Sequence, residues 1–310
     1  MASRLRGESP SSAAPHNVRV ILGAHLSTAG GLWTVFDRAD QARADAIQVF
    51  TKSKGMWAAR PLGEEDVRLF RARAGEKPRP LFAHAAYLIN VASPVEAIRR
   101  KSIDALRIEV ERCELLGIPH LVLHPGCHMG AGESKGARLA AAGVDEVARS
   151  TRGFRTRILL EIASGQGSAI CASLETLAAL LDRVREPERF AACLDTCHLF
   201  AAGYDLRSEE GYASTLAEIE SRIGLERVLC IHANDSKREL GSRIDRHEHI
   251  GRGLLGKDAF RRIVNDPRLA AIPLVLELPP EDDMNRINLR TLRGLVRRPR
   301  PARRAGARSR

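Results

Sequence analysis

Residues 157–162, Arg-Ile-Leu-Leu-Glu-Ile, form one of eight short, largely apolar runs that recur along the chain. These runs do not alternate between apolar and polar residues, which is typical of parallel strands buried on both faces of a sheet. The pattern therefore predicts eight parallel strands. The eight runs are Val18–Leu26, Ala46–Phe50, Leu81–Ala85, His120–His124, Arg157–Ile162, Ala191–Leu194, Val228–His232 and Leu274–Leu278.

Longer segments separate these runs, and their apolar residues recur every three or four positions, as amphipathic helices require. Eight strands, each followed by a helix or a long loop, over about 270 residues predict a single α/β domain, a (β/α)₈ TIM barrel. A doubly wound sheet is the main alternative, but residues 25–31 after the first run do not form the GxGxxG turn of a dinucleotide-binding fold. The predicted helices are Glu64–Ala74, Pro94–Leu116, Lys135–Thr151, Leu174–Val184, Glu209–Ile223 and Gly256–Val264.

Positive charge is concentrated at the end of the chain. The formal net charge is +11, yet ten arginines and no acidic residue lie between Asn285 and Arg310, so the remainder is close to neutral. We expect a barrel domain over 18–296, a flexible N-terminal segment over 1–17 and a disordered basic tail over 297–310, because such a tail buries too little apolar surface to fold. Two roles for the tail are consistent with the sequence. It adds salt-sensitive affinity for nucleic acid, or it keeps the protein soluble.

Composition indicates a cytoplasmic protein. No apolar run approaches the roughly 20 residues of a membrane span, and the N-terminus lacks the apolar core of a secretory signal. The six cysteines include no CxxC pair and lie mostly in apolar segments, as buried thiols do in a reducing compartment. We expect a monomer without membrane contacts, in a prokaryotic cytoplasm and associated with the nucleoid.

Six consecutive predicted strands end in an imidazole or a carboxylate. In a TIM barrel these ends and the following loops form the active-site face. Each residue alone is more often a hydrogen-bonded core residue or a helix cap, but six together would bury charge at a cost of several kcal/mol each. Bound divalent cations remove that cost, so the sequence predicts a metal centre. The residues are His84, His124, Glu161, Asp195, His232 and Glu277.

Two further groups extend this set. His198 follows Asp195 by three residues, in the expected loop after strand six. Asp245 and His247 have i, i+2 spacing, which places both side chains on one face of an extended segment, although a solvated loop pair is an alternative. Nine such residues can hold two or three ions, and closely spaced ions suit phosphoryl chemistry. The mixed donors favour Zn²⁺, with Mn²⁺ or Fe²⁺ as alternatives, over Mg²⁺.

Several sequence blocks within residues 20–285 resemble, in order, the endonuclease IV family of AP (apurinic/apyrimidinic) endonucleases. Because the match comprises many long blocks, it is far more specific than a single short motif. The blocks are Gly23–Leu32, His84–Asn90, Leu123–Gly126, Glu161 with Gly165–Ser168, Asp195–Asp205, His232–Ser236, Gly241–His247 and Ile272–Glu277.

The resemblance implies a three-zinc hydrolase of base excision repair. It would cleave double-stranded DNA on the 5′ side of an abasic site, leaving a 3′-hydroxyl and a 5′-deoxyribose phosphate, and would also remove 3′-blocking groups. Glu161, shared by two ions, would be the catalytic residue that orients or deprotonates the attacking water. A metal-dependent sugar isomerase or epimerase is the alternative, and it would not need the third ligand set. The implied sets are His84, His124 and Glu161; Glu161, Asp195, His232 and Glu277; and His198, Asp245 and His247.

The resemblance also implies two loops that insert side chains into the duplex and help to hold the abasic nucleotide outside it. Tyr87 and Leu88 match one loop. The other matches residues 51–57, Thr-Lys-Ser-Lys-Gly-Met-Trp, but Gly55 and Met56 stand where the family often has an Arg followed by a polar residue. We expect Met56 to act as an apolar wedge.

Phosphate contacts near this second loop are expected from Lys52, with Lys54 or Arg60 as alternatives. Trp57 is expected to pack into the core. His25 also ends a strand, but a structural role is expected for it because the family does not use it as a ligand.

Overall fold

The computed structural model describes residues 20–278 and 283–297. Eight parallel strands close into a barrel in which the first strand pairs with the last, so the predicted TIM barrel is confirmed. The expected flexible N-terminal segment, residues 1–17, lies outside the described residues. So does the expected basic tail, residues 297–310, apart from Arg297. The barrel strands are β1 (Leu22–His25), β2 (Ala46–Val49), β3 (Leu81–His84), β4 (His120–Leu123), β5 (Arg157–Glu161), β6 (Phe190–Asp195), β7 (Val228–His232) and β10 (Leu274–Leu276).

The two remaining strands in the described ranges are very short and were not predicted from the sequence. β8 (Asp235–Ser236) and β9 (His247–Glu248) form an antiparallel pair in the long loop after β7. This pair makes the backbone extended at His247 and Glu248, and Asp245 lies two residues before His247 in the same loop.

Helices surround the barrel, and all six predicted helices are present. Three helices of the described chain were not predicted: α1, α6 and α9. The helix α9 folds part of the arginine-rich segment, because Leu289 and Leu292 lie three residues apart and are both buried. The helices are α1 (Val35–Ala42), α2 (Glu64–Glu76), α3 (Glu96–Leu116), α4 (Glu133–Ser150), α5 (Leu174–Leu181), α6 (Thr196–Ala202), α7 (Glu209–Arg222), α8 (Gly256–Ile263) and α9 (Met284–Leu295).

The core has two layers, one between strands and helices and one inside the barrel. Neighbouring residues of a strand point to opposite faces, so β5 directs Ile158 and Leu160 towards the helices and Leu159 into the barrel. The residue two positions after Leu159 is Glu161, which the same alternation directs into the barrel mouth. No helix in the described part of the chain is both long and apolar enough to cross a membrane.

Candidate metal centre at the barrel mouth

The interior layer of the barrel determines which side chains reach the mouth. The residue two positions beyond each interior residue lies on the same face of its strand. Phe82 is thus followed by His84, Val122 by His124, Leu159 by Glu161, Cys193 by Asp195, Cys230 by His232 and Val275 by Glu277. All six strand-end residues expected from the sequence are therefore placed around one mouth.

Glu161 lies at the centre of this arrangement. Its Oε2 is 3.2 Å from Nε2 of His84 and 3.3 Å from Nε2 of His124. Its Oε1 is 2.8 Å from Nδ1 of His232. The two carboxylate oxygens thus face different groups of side chains, which is the position required of a carboxylate that bridges two cations.

His198, Asp245 and His247 form a third group beside these two. Nε2 of His198 is 3.2 Å from Oδ2 of Asp245, and Nε2 of His247 is 3.1 Å from Oδ1 of Asp245. His198 does not lie in a loop, as expected, but in the first turn of α6, where Asp195 Oδ1 caps the helix by accepting the His198 N–H at 2.9 Å. The helix starts directly at the strand end because Asp195 provides that cap.

Nine side chains therefore form three groups, and within each group the potential metal-binding atoms lie within 4.8 Å of one another. Glu161 belongs to two groups, and its position links them. The groups are His84, His124 and Glu161; Glu161, Asp195, His232 and Glu277; and His198, Asp245 and His247.

Hydrogen bonds to the backbone orient three of these imidazoles. Nδ1–H of His84 donates to the carbonyl of Ala85 at 2.8 Å, and Nδ1–H of His198 donates to that of Ile162 at 2.9 Å. Nδ1–H of His247 donates to the carbonyl of Glu277 at 2.8 Å. In each case Nε2 is the ring nitrogen left to bind a metal ion, and it faces the carboxylates, as in metal sites whose ligands are held by outer partners.

The polar atoms of the centre fit divalent cations. Nε2 of His247 is buried, and no residue in the described ranges gives it a well-directed hydrogen bond, although Asp245 is close. Nδ1 of His232 faces two carboxylates, Glu161 at 2.8 Å and Glu277 at 3.1 Å. Lone pairs and carboxylate oxygens that face one another repel unless a proton or a metal ion lies between them.

The pKa values of the imidazoles show how strongly the carboxylates attract positive charge. Burial lowers the pKa of His198, but the effect of Asp195 and Asp245 is larger and raises the pKa to about 10. Burial also lowers the pKa of His247, but the same two carboxylates outweigh this effect and raise the pKa to about 9. Burial would raise the pKa of Glu161, but His124 and His232 hold it well below its usual value.

These shifts predict that metal binding at the third group releases protons. Without metal, His198 and His247 carry protons at pH 7.5, because their pKa values of about 10 and about 9 lie above that pH. A metal ion binds only the neutral imidazole, so affinity should rise with pH and level off once pH exceeds about 10. Calorimetry in buffers of different ionisation enthalpy should show about two protons released per ion at this group.

His128→Gln, which changes an imidazole outside the three groups, provides the control for this measurement and should release as many protons as the parent protein. Binding that is independent of pH between 6 and 9 would contradict the assignment of these two imidazoles as ligands.

Two amides support the centre, and neither was assigned a role from the sequence. Oε1 of Gln48 accepts from Nε2–H of His232 at 3.0 Å, and Nε2 of Gln48 donates to Glu277. Nδ2 of Asn234 donates to Asp195 at 2.6 Å, while its Oδ1 accepts the N–H of Glu277 at 2.8 Å. Gln48 lies two residues after Ala46 on the inward face of β2, so strand alternation would have identified it.

The expected duplex-contacting side chains lie at the rim of the mouth. Met56 and Tyr87 are each 57% exposed, and Leu88 is 37% exposed. The Tyr87 ring packs edge to face on Phe50, with centroids 5.6 Å apart, and Nζ of Lys54 lies 5.8 Å from its centroid. The three apolar side chains are thus free to contact a ligand larger than the mouth.

The position of Lys52 differs from the expected phosphate contact. Its side chain is 3% exposed, its Nζ is 3.4 Å from Oε1 of Glu109, and it donates to the carbonyl of Met56 at 2.6 Å. The ammonium is thus engaged by a carboxylate and a carbonyl, and Lys52 also lines the larger cleft beside the centre. Lys54 and Arg60, which were the alternatives, are both exposed. Trp57 is partly buried against the core, as expected.

Two clefts open on either side of the centre, with volumes of about 1100 Å³ and about 700 Å³. Tyr87 and Glu277 line both. The larger cleft carries the basic side chains Arg38, Lys54 and Arg286, and the smaller one reaches the third ligand group. An extended polyanion can therefore run across the mouth.

A family model described as a xylose isomerase-like TIM barrel matches residues 36–295. A probable endonuclease 4 of Chloroflexus aurantiacus is 45% identical over 277 residues, which cover 88% of this chain and 97% of the relative. The chain belongs to the endonuclease IV family. The resemblance found in the sequence blocks is thereby confirmed, and so is the prediction of a hydrolytic nuclease of the endonuclease IV type.

Solved structures agree with this membership. Endonuclease IV from Thermus thermophilus matches with a TM-score of 0.79 at 33% identity, covering 88% of this chain and 98% of that one. A D-tagatose 3-epimerase-like protein matches with a TM-score of 0.69 at 16% identity, over 89% of this chain and 98% of that one. The second likeness shows the fold alone, so it does not support the sugar epimerase alternative. The endonuclease IV family is metal-dependent, in agreement with the expected metal centre.

Proposed function

We propose that this protein is a zinc-dependent AP endonuclease. It hydrolyses the phosphodiester on the 5′ side of an abasic site in double-stranded DNA, leaves a 3′-hydroxyl and a 5′-deoxyribose phosphate, and removes blocking groups from 3′ ends. The observation that carries the proposal is the convergence of nine histidine, aspartate and glutamate side chains into three linked groups at one barrel mouth.

The donor set supports three zinc ions, with Mn²⁺ or Fe²⁺ as alternatives. Each group mixes imidazole and carboxylate ligands, which suit Zn²⁺, whereas Mg²⁺ prefers oxygen ligands alone. Closely spaced ions lower the pKa of water and neutralise charge on a phosphate. His84, His124 and Glu161 would hold the first ion, and Glu161, Asp195, His232 and Glu277 the second. His198, Asp245 and His247 would hold the third.

The protein's own residues position the reaction. Glu161 is fully buried, and histidines hold its carboxylate ionised, so it can accept a hydrogen bond from a water molecule beside the phosphorus atom and orient it. It is also the group proposed to take the proton of that water, if the reaction needs a general base. Gln48 and Asn234 hold the neighbouring ligands at fixed orientations through the hydrogen bonds described above. Such preorganisation avoids reordering the site during the reaction.

Recognition of the abasic site is assigned to the rim. Met56, Tyr87 and Leu88 are apolar or amphipathic and exposed beside a ligand set that otherwise presents charge. Insertion of such side chains into a duplex costs a few kcal/mol per unstacked step, and least where a base is missing. A lesion without a base would therefore be favoured over intact DNA.

A nicking assay combined with elemental analysis tests this function. The purified protein should contain about three zinc ions per chain and nick a duplex with one synthetic abasic site, but not the matched intact duplex. The upstream product should be extended directly by a polymerase, because its end is a 3′-hydroxyl. Failure to nick the abasic duplex with metal present, or a product that cannot be extended, would reject the proposal.

The basic tail is proposed to add affinity without taking part in catalysis, in a monomer that acts on DNA in the cytoplasm. Deletion of residues 298–310 removes six arginines. Each phosphate contact contributes about 0.9 to the slope of log affinity against log salt, so that slope should fall by at most about 5. Turnover at low salt should stay unchanged. A large loss of turnover at low salt would instead show that the tail reaches the active site.

A further inference from the structure

Two loops carry the exposed side chains at the rim. We define the Met56 loop as residues 51–57 and the Tyr87 loop as residues 86–90. Both lie beside α3, and a single buried carboxylate of that helix, Glu109, contacts both. Glu109 is 1% exposed and is neither a member of the three ligand groups nor exposed to a ligand in the mouth.

Glu109 holds the Tyr87 loop at its first residue. Its Oε1 accepts the N–H of Ala86 at 3.0 Å. Ala86 directly precedes Tyr87, so this hydrogen bond fixes the backbone from which the Tyr87 side chain projects. A charged acceptor makes such a hydrogen bond stronger than a neutral one does.

The same oxygen of Glu109 holds the Met56 loop through Lys52. Nζ of Lys52 lies 3.4 Å from Oε1 of Glu109 and donates to the carbonyl of Met56 at 2.6 Å. Lys52 thus spans its own loop and links the backbone of Met56 to the carboxylate that holds Ala86. Because both charges are buried, loss of either one leaves the other unpaired at high cost.

Arg112, one helical turn after Glu109, fixes the base of the Met56 loop. Its Nε donates to the carbonyl of Thr51 at 3.0 Å, and its Nη1 donates to that of Arg60 at 2.8 Å. Arg112 therefore holds the loop at its first residue and the chain three residues beyond its last, and Lys52 and Glu109 hold the carbonyl of Met56. The pair Lys52–Glu109 is thus a buried connection between the two loops, in addition to the exposed contact of Lys54 with the Tyr87 ring.

We propose that Glu109, acting through Lys52, is a positioning residue that couples the Met56 loop to the Tyr87 loop, so that both side chains meet a duplex at a fixed separation. The proposal rests on the proposed function, since it concerns how an abasic duplex is engaged. Loops held in the binding geometry beforehand lose less conformational entropy when DNA binds. The pair acts on recognition and leaves the hydrolytic step to the ligand groups.

Two variants break this connection with little change in volume: Glu109→Gln, which keeps an acceptor for Ala86, and Lys52→Met, which keeps an apolar stem. Steady-state kinetics of the metal-loaded enzyme are measured on an abasic duplex and on a single-stranded abasic oligonucleotide, which has no duplex to be opened. We expect KM for the duplex to rise about tenfold, with kcat and the single-stranded reaction unchanged within about twofold. Arg107→Gln, which breaks an exposed ion pair with Glu111 on the same helix, is the matched control and should change nothing.

A double-mutant cycle separates positioning from simple stabilisation. Met56→Ala and Tyr87→Ala are combined in the parent chain and in the Lys52→Met background, and KM for the abasic duplex is measured. Non-additive effects are expected in the parent and additive effects in the Lys52→Met background. Additivity in the parent, coupling that persists without Lys52, or an equal loss of the single-stranded reaction would overturn the proposal. Failure of the parent to nick abasic DNA would instead reject the proposed function.

Discussion

Substitution of Glu161 by Gln should abolish cleavage of an abasic duplex, with a loss of at least about a thousandfold in kcat. The amide has nearly the same volume, but it carries no charge and cannot accept the proton of an attacking water. It also removes the carboxylate whose two oxygens face His84 and His124 on one side and His232 on the other. Cleavage rates and zinc content of the purified variant measure both effects.

The fold should survive the Glu161→Gln change, because Glu161 is at the end of β5 and the interior layer beneath it is apolar. Circular dichroism should therefore match that of the parent protein. Glu175→Gln, at an exposed position at the start of α5, serves as the matched control and should retain full activity. Activity within tenfold of the parent in Glu161→Gln would remove the bridging carboxylate from the mechanism.

Removal of the metal should abolish activity and lower thermal stability together. Ions that bind the folded chain at a thousand times their dissociation constant contribute about 4 kcal/mol. For a chain of this size the loss of one such ion corresponds to a fall in Tm of roughly 6 °C. After dialysis against a chelator, scanning calorimetry should show this fall, and added Zn²⁺ should restore both Tm and cleavage.

Mg²⁺ provides the comparison for this experiment, because it prefers octahedral oxygen ligands and the three groups contain five histidines. It should restore little activity at the same concentration. Full cleavage by protein that retains less than about a tenth of an ion per chain would contradict a metal-dependent mechanism of the kind proposed here.

Much of the barrel and of the ligand set could be predicted from the sequence, for one physical reason. Strand alternation is regular, so a His, Asp or Glu two residues after an interior residue must point into the mouth. Glu161 after Leu159 illustrates this. The same rule applied to Ala46 identifies Gln48, but a neutral amide at a strand end does not by itself indicate a metal site, so Gln48 was not predicted.

Other features depend on contacts that no local pattern contains. Helix α6 is seven residues long and, apart from its last residue, buried, so it lacks the amphipathic period that identified the longer helices. Lys52 was expected to bind phosphate because Gly55 and Met56 stand where relatives often have an Arg followed by a polar residue. Its ammonium is instead paired with Glu109, which lies far along the chain on α3. Such long-range pairing is set by tertiary structure.

Anomalous diffraction at the zinc absorption edge, from crystals grown with zinc, would locate the bound ions directly. We expect three peaks in the barrel mouth. One lies among His84, His124 and Glu161, a second beside His232 and Glu277, and a third among His198, Asp245 and His247. A mouth without peaks, with zinc bound elsewhere on the chain, would contradict the proposed metal centre.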